Sequence, residues 1–115
     1  MSPYYRHFSK AEVAGLQPAL VARLDWARQV AGVPFHITSG FRTPEENEAL
    51  GGAPDSAHLR GWAADIRVTS TYRRFAIVGG ALKAGFPRIG VYNGHVHLDS
   101  DPSLPTRVMW TGKSK

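Results

Sequence analysis

Apolar and polar positions alternate along the 115-residue chain in short blocks separated by glycine and proline. Ser9 with Glu12 three residues later is a capping-box pattern and predicts a short helix beginning near Lys10, broken at Gly15. Pro18 suits the first turn of a second helix, not the interior of one long helix. From there Leu20, Leu24, Ala27 and Val30, with Trp26 beside the same stripe, recur at the helical period until Gly32 and Pro34. Phe35-His36-Ile37-Thr38 reads as a short strand, and Thr43-Pro44-Glu45-Glu46 as a capped helix start. That helix is brief, because Gly51-Gly52 and Pro54 follow. Gly61 to Val68 alternates as a strand: Trp62, Ala64, Ile66 and Val68 share one face, Gly61, Ala63, Asp65 and Arg67 the other. Thr71 to Ala84 predicts a helix with Phe75, Val78 and Leu82 as its stripe, closed by Gly85 and Pro87. Gly79-Gly80 fits that helix only if another backbone packs closely there. Arg88–Tyr92 and His95–Asp99 flank Asn93-Gly94, the strongest short hairpin signal.

These elements sum to an α+β domain spanning residues 1–115: a small, mainly antiparallel sheet with helices on one face and the other face partly open. Pro102, Pro105 and the closing Gly-Lys-Ser-Lys predict a tail that is loosely held after about residue 105. With 43% hydrophobic and 20% charged residues the chain is globular, not disordered. Lacking cysteine, it has no disulfide framework, Cys-ligated zinc or thiol nucleophile. No window approaches the ~18 apolar residues of a membrane span, and no basic start leads into an apolar stretch, so no export signal is expected. A net charge of +5 attracts nucleic acid, anionic membrane or anionic wall polymer alike. The arginines are scattered along the chain, which argues against a dedicated nucleic-acid reader.

The informative residues collect on the open face. His95, His97 and Asp99 share strand parity, while Val96 and Leu98 turn to the core. Beside them the strand carrying Asp65 completes a divalent-metal site that suits zinc, which takes imidazole and carboxylate ligands. His58 lies at the mouth of that strand, and the small Gly61 and Ala63 leave room for an ion and a substrate. The plain alternative makes Asp65 an ion-pair partner of Arg60 or Arg67. His7 and His36 belong to no motif, and Glu45, Glu46 and Glu48 read as helix-start charges.

Ser56-Ala57-His58-Leu59-Arg60-Gly61-Trp62-Ala63-Ala64-Asp65 reads S-x-H-x-x-G-x-A-x-D. Upstream stands Ser39-Gly40-Phe41-Arg42-Thr43, followed by Asn47 and Gly51-Gly52; downstream Gly90-Val91-Tyr92 leads to His97-Leu98-Asp99. Together these segments closely resemble the zinc D-Ala-D-Ala carboxypeptidases and murein endopeptidases of peptidase family M15, from about Phe8 to Asp99. The resemblance implies the fold shared with the signalling domain of hedgehog proteins, and zinc held by His58, Asp65 and His97 with a fourth position open. It places Arg42 toward substrate, stabilising the polarised carbonyl or gripping a carboxylate, for which its permanent forked charge is apt. Ser56 and Tyr92 are further substrate-binding candidates.

Many family members carry an acid three positions before the last zinc histidine, where this chain has Gly94. The proton-transfer candidates on the right face are therefore His95, ranked first, and Asp99, whose alternative task is to hold the tautomer of a ligand histidine. The expected activity is hydrolysis of peptidoglycan stem peptides or cross-links, by a monomer acting at the cell wall, in the periplasm or outside the cell. A phage lysis enzyme released from the cytoplasm fits that expectation. The rival expectation is a zinc-holding binding module of the same fold without hydrolytic activity.

Overall fold

A computed structural model describes residues 5–113; Ser114 and Lys115, the end of the predicted loose tail, lie outside the described residues. Ser9 and Glu12 do exchange their reciprocal cap bonds, at 2.8 and 3.3 Å, but the predicted helix near Lys10 is only a run of turns. Gly15, with φ +80°, stops it before a helix can nucleate. Helix α1 (Pro18–Ala31) follows, with proline in its first turn and Gly32 as its left-handed cap. Leu20, Leu24 and Ala27 of the predicted stripe are buried, joined by Val21, whereas Val30 and the neighbouring Trp26 face solvent.

Strand β1 (Ile37–Ser39) starts two residues later than predicted, since Phe35 sinks into the core ahead of it. Helix α2 (Pro44–Ala49) carries the capping box of Thr43 and Glu46 that the sequence announces. A 3-10 helix (Ala57–Arg60) then leads into β2 (Ala63–Arg67), which is shorter than the predicted Gly61–Val68 strand. Gly61 instead caps the 3-10 helix at φ +75°, and a side chain there would strike the Gly15 carbonyl at 2.5 Å.

Helix α3 (Thr71–Lys83) inverts the predicted stripe. Ile77, Gly80 and Ala81 are buried, whereas Phe75 and Leu82 are 79% and 56% exposed. Close approach to α1 decides this. A Cβ on Gly80 would sit 2.5 Å from the Ala27 carbonyl oxygen and 2.8 Å from the Ala31 Cβ, so the small-residue face is the one that lets the two helices touch.

Strands β3 (Arg88–Tyr92) and β4 (His95–Asp99) form the expected hairpin across Asn93-Gly94. The tail does not stay loose: β5 (Val108–Gly112) pairs in parallel with β3, Arg88 opposite Val108 through Tyr92 opposite Gly112. Its approach is pinned by Asp101, which is buried and accepts from Arg60 Nε at 2.7 Å and from Ser103. The sheet order is β1-β2-β4-β3-β5, so the sheet is mixed, not mainly antiparallel, through that last pairing. Ala64, Ile66, Val96, Leu98 and Ile89 point to the helical side and join Leu20, Leu24 and Ile77 in one core. Each of the larger side chains contributes about 1.5–3 kcal/mol of burial. The opposite side of the sheet carries Asp65, Gly90 and His97.

Candidate metal centre

His58, Asp65 and His97 come from three segments that the fold brings to one point. Each offers a ligand atom, and the three atoms lie within 4.8 Å of one another. Asp65 on β2 and His97 on β4 are direct cross-strand partners, so their side chains rise together from the open face. His58 reaches the same point from the 3-10 helix, whose first turn is fixed by Ser56 Oγ accepting the His58 N–H at 3.2 Å.

Hydrogen bonding determines which nitrogen each histidine presents. His58 is 2% exposed, and its Nδ1 lies 2.7 Å from the Gly40 carbonyl oxygen. A carbonyl only accepts, so Nδ1 carries the hydrogen and Nε2 keeps a lone pair. That Nε2 is buried, has no hydrogen-bond partner, and stands 3.3 Å from Asp65 Oδ1. His97 lies between two carboxylates, with Nε2 2.7 Å from Asp99 Oδ2 and Nδ1 3.0 Å from Asp65 Oδ1. A neutral imidazole has one N–H, so with Nε2–H given to Asp99 its Nδ1 also turns a lone pair on Asp65.

Two imidazole lone pairs and a carboxylate thus converge and need positive charge between them. The separations of 3.0 and 3.3 Å match neighbouring ligands of one tetrahedral ion, which lie about 3.3 Å apart when bonds are near 2.0 Å. The residues present therefore fit a divalent ion such as zinc. Without a metal, protons play the same part. Burial disfavours the His97 cation, yet Asp65 and Asp99 raise its pKa; burial likewise opposes the Asp65 anion, yet His58 and His97 hold its pKa well below the usual carboxylate range.

Asp99 is 1% exposed and does not face the groove. Besides His97 it receives the Asp101 backbone N–H and faces Arg88 Nε at 2.8 Å, an ion pair in which the N–H is not aimed at the oxygen. Its place beneath His97 is one from which it can hold that ring's tautomer. His95 stays at the surface of the site: Nε2 is 4.0 Å from Asp65 Oδ2, and the ring stacks on Tyr92 with centroids 4.3 Å apart. Burial lowers the His95 pKa, outweighing the pull of Asp65, and His97, His58 and Arg42 push the same way.

Arg42 is tightly held. Its Nε donates to Ser39 Oγ at 2.9 Å, and its two terminal nitrogens to Asn47 Oδ1 and Asp65 Oδ2, each at 3.2 Å. Asn47 is itself buried and donates to the Ala53 carbonyl, while a side chain at Gly52 would collide with it. This explains why arginine, asparagine and glycine occur together in one segment.

The groove over the cluster has a volume of about 540 Å³, and Arg42, Ser56, Tyr92, His95 and Trp110 are among its lining residues. Trp110 and Lys113, both lining residues, belong to the segment whose prolines and closing Gly-Lys-Ser-Lys predict a loose tail. The strand-forming run Val108-Met109-Trp110-Thr111 is the signal that could have found them. Trp110 Nε1 donates to Tyr92 Oη at 3.0 Å, and its ring lies 5.4 Å from that of His97. It crosses β3 at Gly90, where a Cβ would meet Trp110 Nε1 at 2.6 Å. His7, bonded to Gln29, and the exposed His36 take no part.

A search of curated proteins finds no match to this chain. The family model described as Peptidase M15 matches residues 6–99, a span that takes in the whole cluster with Arg42, His95 and Asp99 and stops short of β5. By that match, over most of its length, the chain belongs to the peptidase M15 family.

Proposed function

We propose that this chain is a zinc-dependent peptidase that hydrolyses peptidoglycan stem peptides or their cross-links at the cell wall. The observation that carries the reading is the convergence of His58 Nε2, Asp65 Oδ1 and His97 Nδ1, with one of these nitrogens buried and without a hydrogen-bond partner. His58, Asp65 and His97 would hold the zinc, which would supply Lewis-acid polarisation of the scissile carbonyl and a water of lowered pKa near neutral pH.

The chain's own residues do the rest. His95, kept neutral by burial, is the base that takes a proton at Nε2 and returns it to the leaving amine. Arg42 sets the position of Asp65 and keeps a fixed positive charge at the groove for a substrate carbonyl or carboxylate. Asp99 is a positioning residue that acts through His97. Ser56 shapes the groove, but its oxygen is engaged in capping His58. Tyr92 and Trp110, joined by a hydrogen bond, supply aromatic surface to the groove. The basic chain favours an anionic wall over a neutral polymer.

A second reading, a zinc-holding module without hydrolysis, is favoured by Gly94 standing where many family members have an acid. Release of muropeptides from purified peptidoglycan separates the two. The peptidase reading expects release that is abolished by chelator, restored by zinc, and reduced about 10²–10⁴-fold in His95→Gln with zinc content unchanged. Zinc-loaded protein that releases nothing establishes the binding module. Wild type and His97→Ala with equal zinc content overturn both.

A further inference from the structure

We infer that the outward face of α3, together with the adjoining edge of β5, is a docking surface for an anionic lipid bilayer. The helix keeps Ile77 in the core and packs Val78 against it, but turns Phe75 and Leu82 outward, 79% and 56% exposed. Phe75, Val78 and Leu82 line one shallow groove with Arg74, and Leu82 is shared with a second lined by Arg107, Val108 and Met109. Met109 is 52% exposed and Tyr72, on the same side of α3, 66%. Phe75, Tyr72, Leu82 and Met109 together expose on the order of 400 Å² of apolar surface, within the range of a monomer's largest patch, which is commonly an interaction site.

Charge identifies the occupant. From Ile66 to Lys113 the only carboxylates are Asp99 and Asp101, and both are buried against arginines. Arg74 and Arg107 line the two grooves and Lys83 follows Leu82 on α3, so this edge is basic, and residues 66–113 place no exposed acid beside it. A second copy of the same face would set cation against cation. Its apolar area is also about half of the ~800 Å² per partner that a stable interface needs. An anionic polymer offers nothing to Phe75, Val78 and Leu82. A bilayer with acidic headgroups meets both features, taking the apolar stripe at the acyl boundary and the arginines at the phosphates. The stripe lies on the helical side of the sheet and the metal cluster on the other, so a docked molecule keeps its groove open to water.

The test is co-sedimentation of the full chain with vesicles of phosphatidylglycerol and phosphatidylcholine, against vesicles of phosphatidylcholine alone. Wild type should sediment with the acidic vesicles only and be released by salt. Phe75→Ser/Leu82→Ser should bind at least tenfold more weakly, with its melting temperature retained because both sites face solvent. Failure of wild type to bind acidic vesicles at low salt overturns the inference. So does equal binding by the double variant, which would reduce the effect to unspecific charge, or a concentration-dependent dimer that the double variant loses.

Discussion

Asp99→Asn isolates what a buried carboxylate does for the proposed metal centre without touching its three candidate ligands. The asparagine has the same shape but no charge, and His97 Nε2–H loses the anionic acceptor that sits 2.7 Å away. Losing such a partner costs about 10–100-fold in metal affinity, or about 1.4–2.7 kcal/mol. Asn can also turn its amide nitrogen toward His97, which would move the hydrogen to Nδ1 and block the ligand position. Stability falls separately, because Arg88 is left in a largely buried place without its counter-charge. Breaking a fully buried pair costs about 3–5 kcal/mol. Arg88 keeps the Pro105 carbonyl at 2.7 Å and lies over the Trp110 ring, so about 2–3 kcal/mol is expected here. Competition between protein and a fluorescent chelator for zinc measures the first quantity, and urea unfolding of the metal-free protein the second. Arg88→Gln is the control: it removes the same ion pair but leaves Asp99 on His97, so it should lose stability without losing zinc affinity. Asp99→Asn that holds zinc within twofold of wild type would falsify the assigned tautomer role.

The two adjacent glycines of α3 should respond with opposite sign. Gly79→Ala meets nothing within 4 Å and should stabilise by about 0.5–1 kcal/mol through helix propensity, whereas Gly80→Ala drives a methyl into α1 and should cost about 1–3 kcal/mol. Urea midpoints decide it, and equal shifts would contradict the packing described. In metal-free protein the depressed Asp65 pKa contributes stability that is present above 3.8 and lost as pH falls through the folded value. The raised His97 pKa contributes stability that is present below 6.5 and lost as pH rises through the folded value. The metal-free protein should therefore be most stable between these limits, and zinc should remove the alkaline loss by replacing the proton. A urea midpoint flat from pH 6 to 9 with chelator present would refute this.

Local signals carried much of the architecture. Capping at Thr43, proline at the start of α1, Gly32 at its end and the Asn93-Gly94 hairpin were legible because each is settled by residues within a few positions of one another. Strand parity likewise put Asp65, His95 and His97 on one side of the sheet and Ile66, Val96 and Leu98 on the other. The motif through His58 and Asp65, by its resemblance to the M15 family, singled out two of the three residues that the fold gathers into a possible metal-binding group.

Questions of contact between distant segments were beyond the sequence. Hydrophobicity alone chose Phe75 and Leu82 for the core side of α3, but helix–helix distance selects the face with the least bulk, and Gly80 and Ala81 could win only once α1 was in place. The tail looked unstructured because its partners are remote: Asp101 needs Arg60, and β5 needs the free edge of β3. The same holds within the site. Which nitrogen of His58 is free depends on the Gly40 carbonyl, and which nitrogen of His97 is free depends on Asp99. Residue types and spacing thus determined what chemistry this chain carries, while its protonation, orientation and surroundings came from hydrogen bonds and packing that exist only when the folded backbone brings separated segments within a few ångströms.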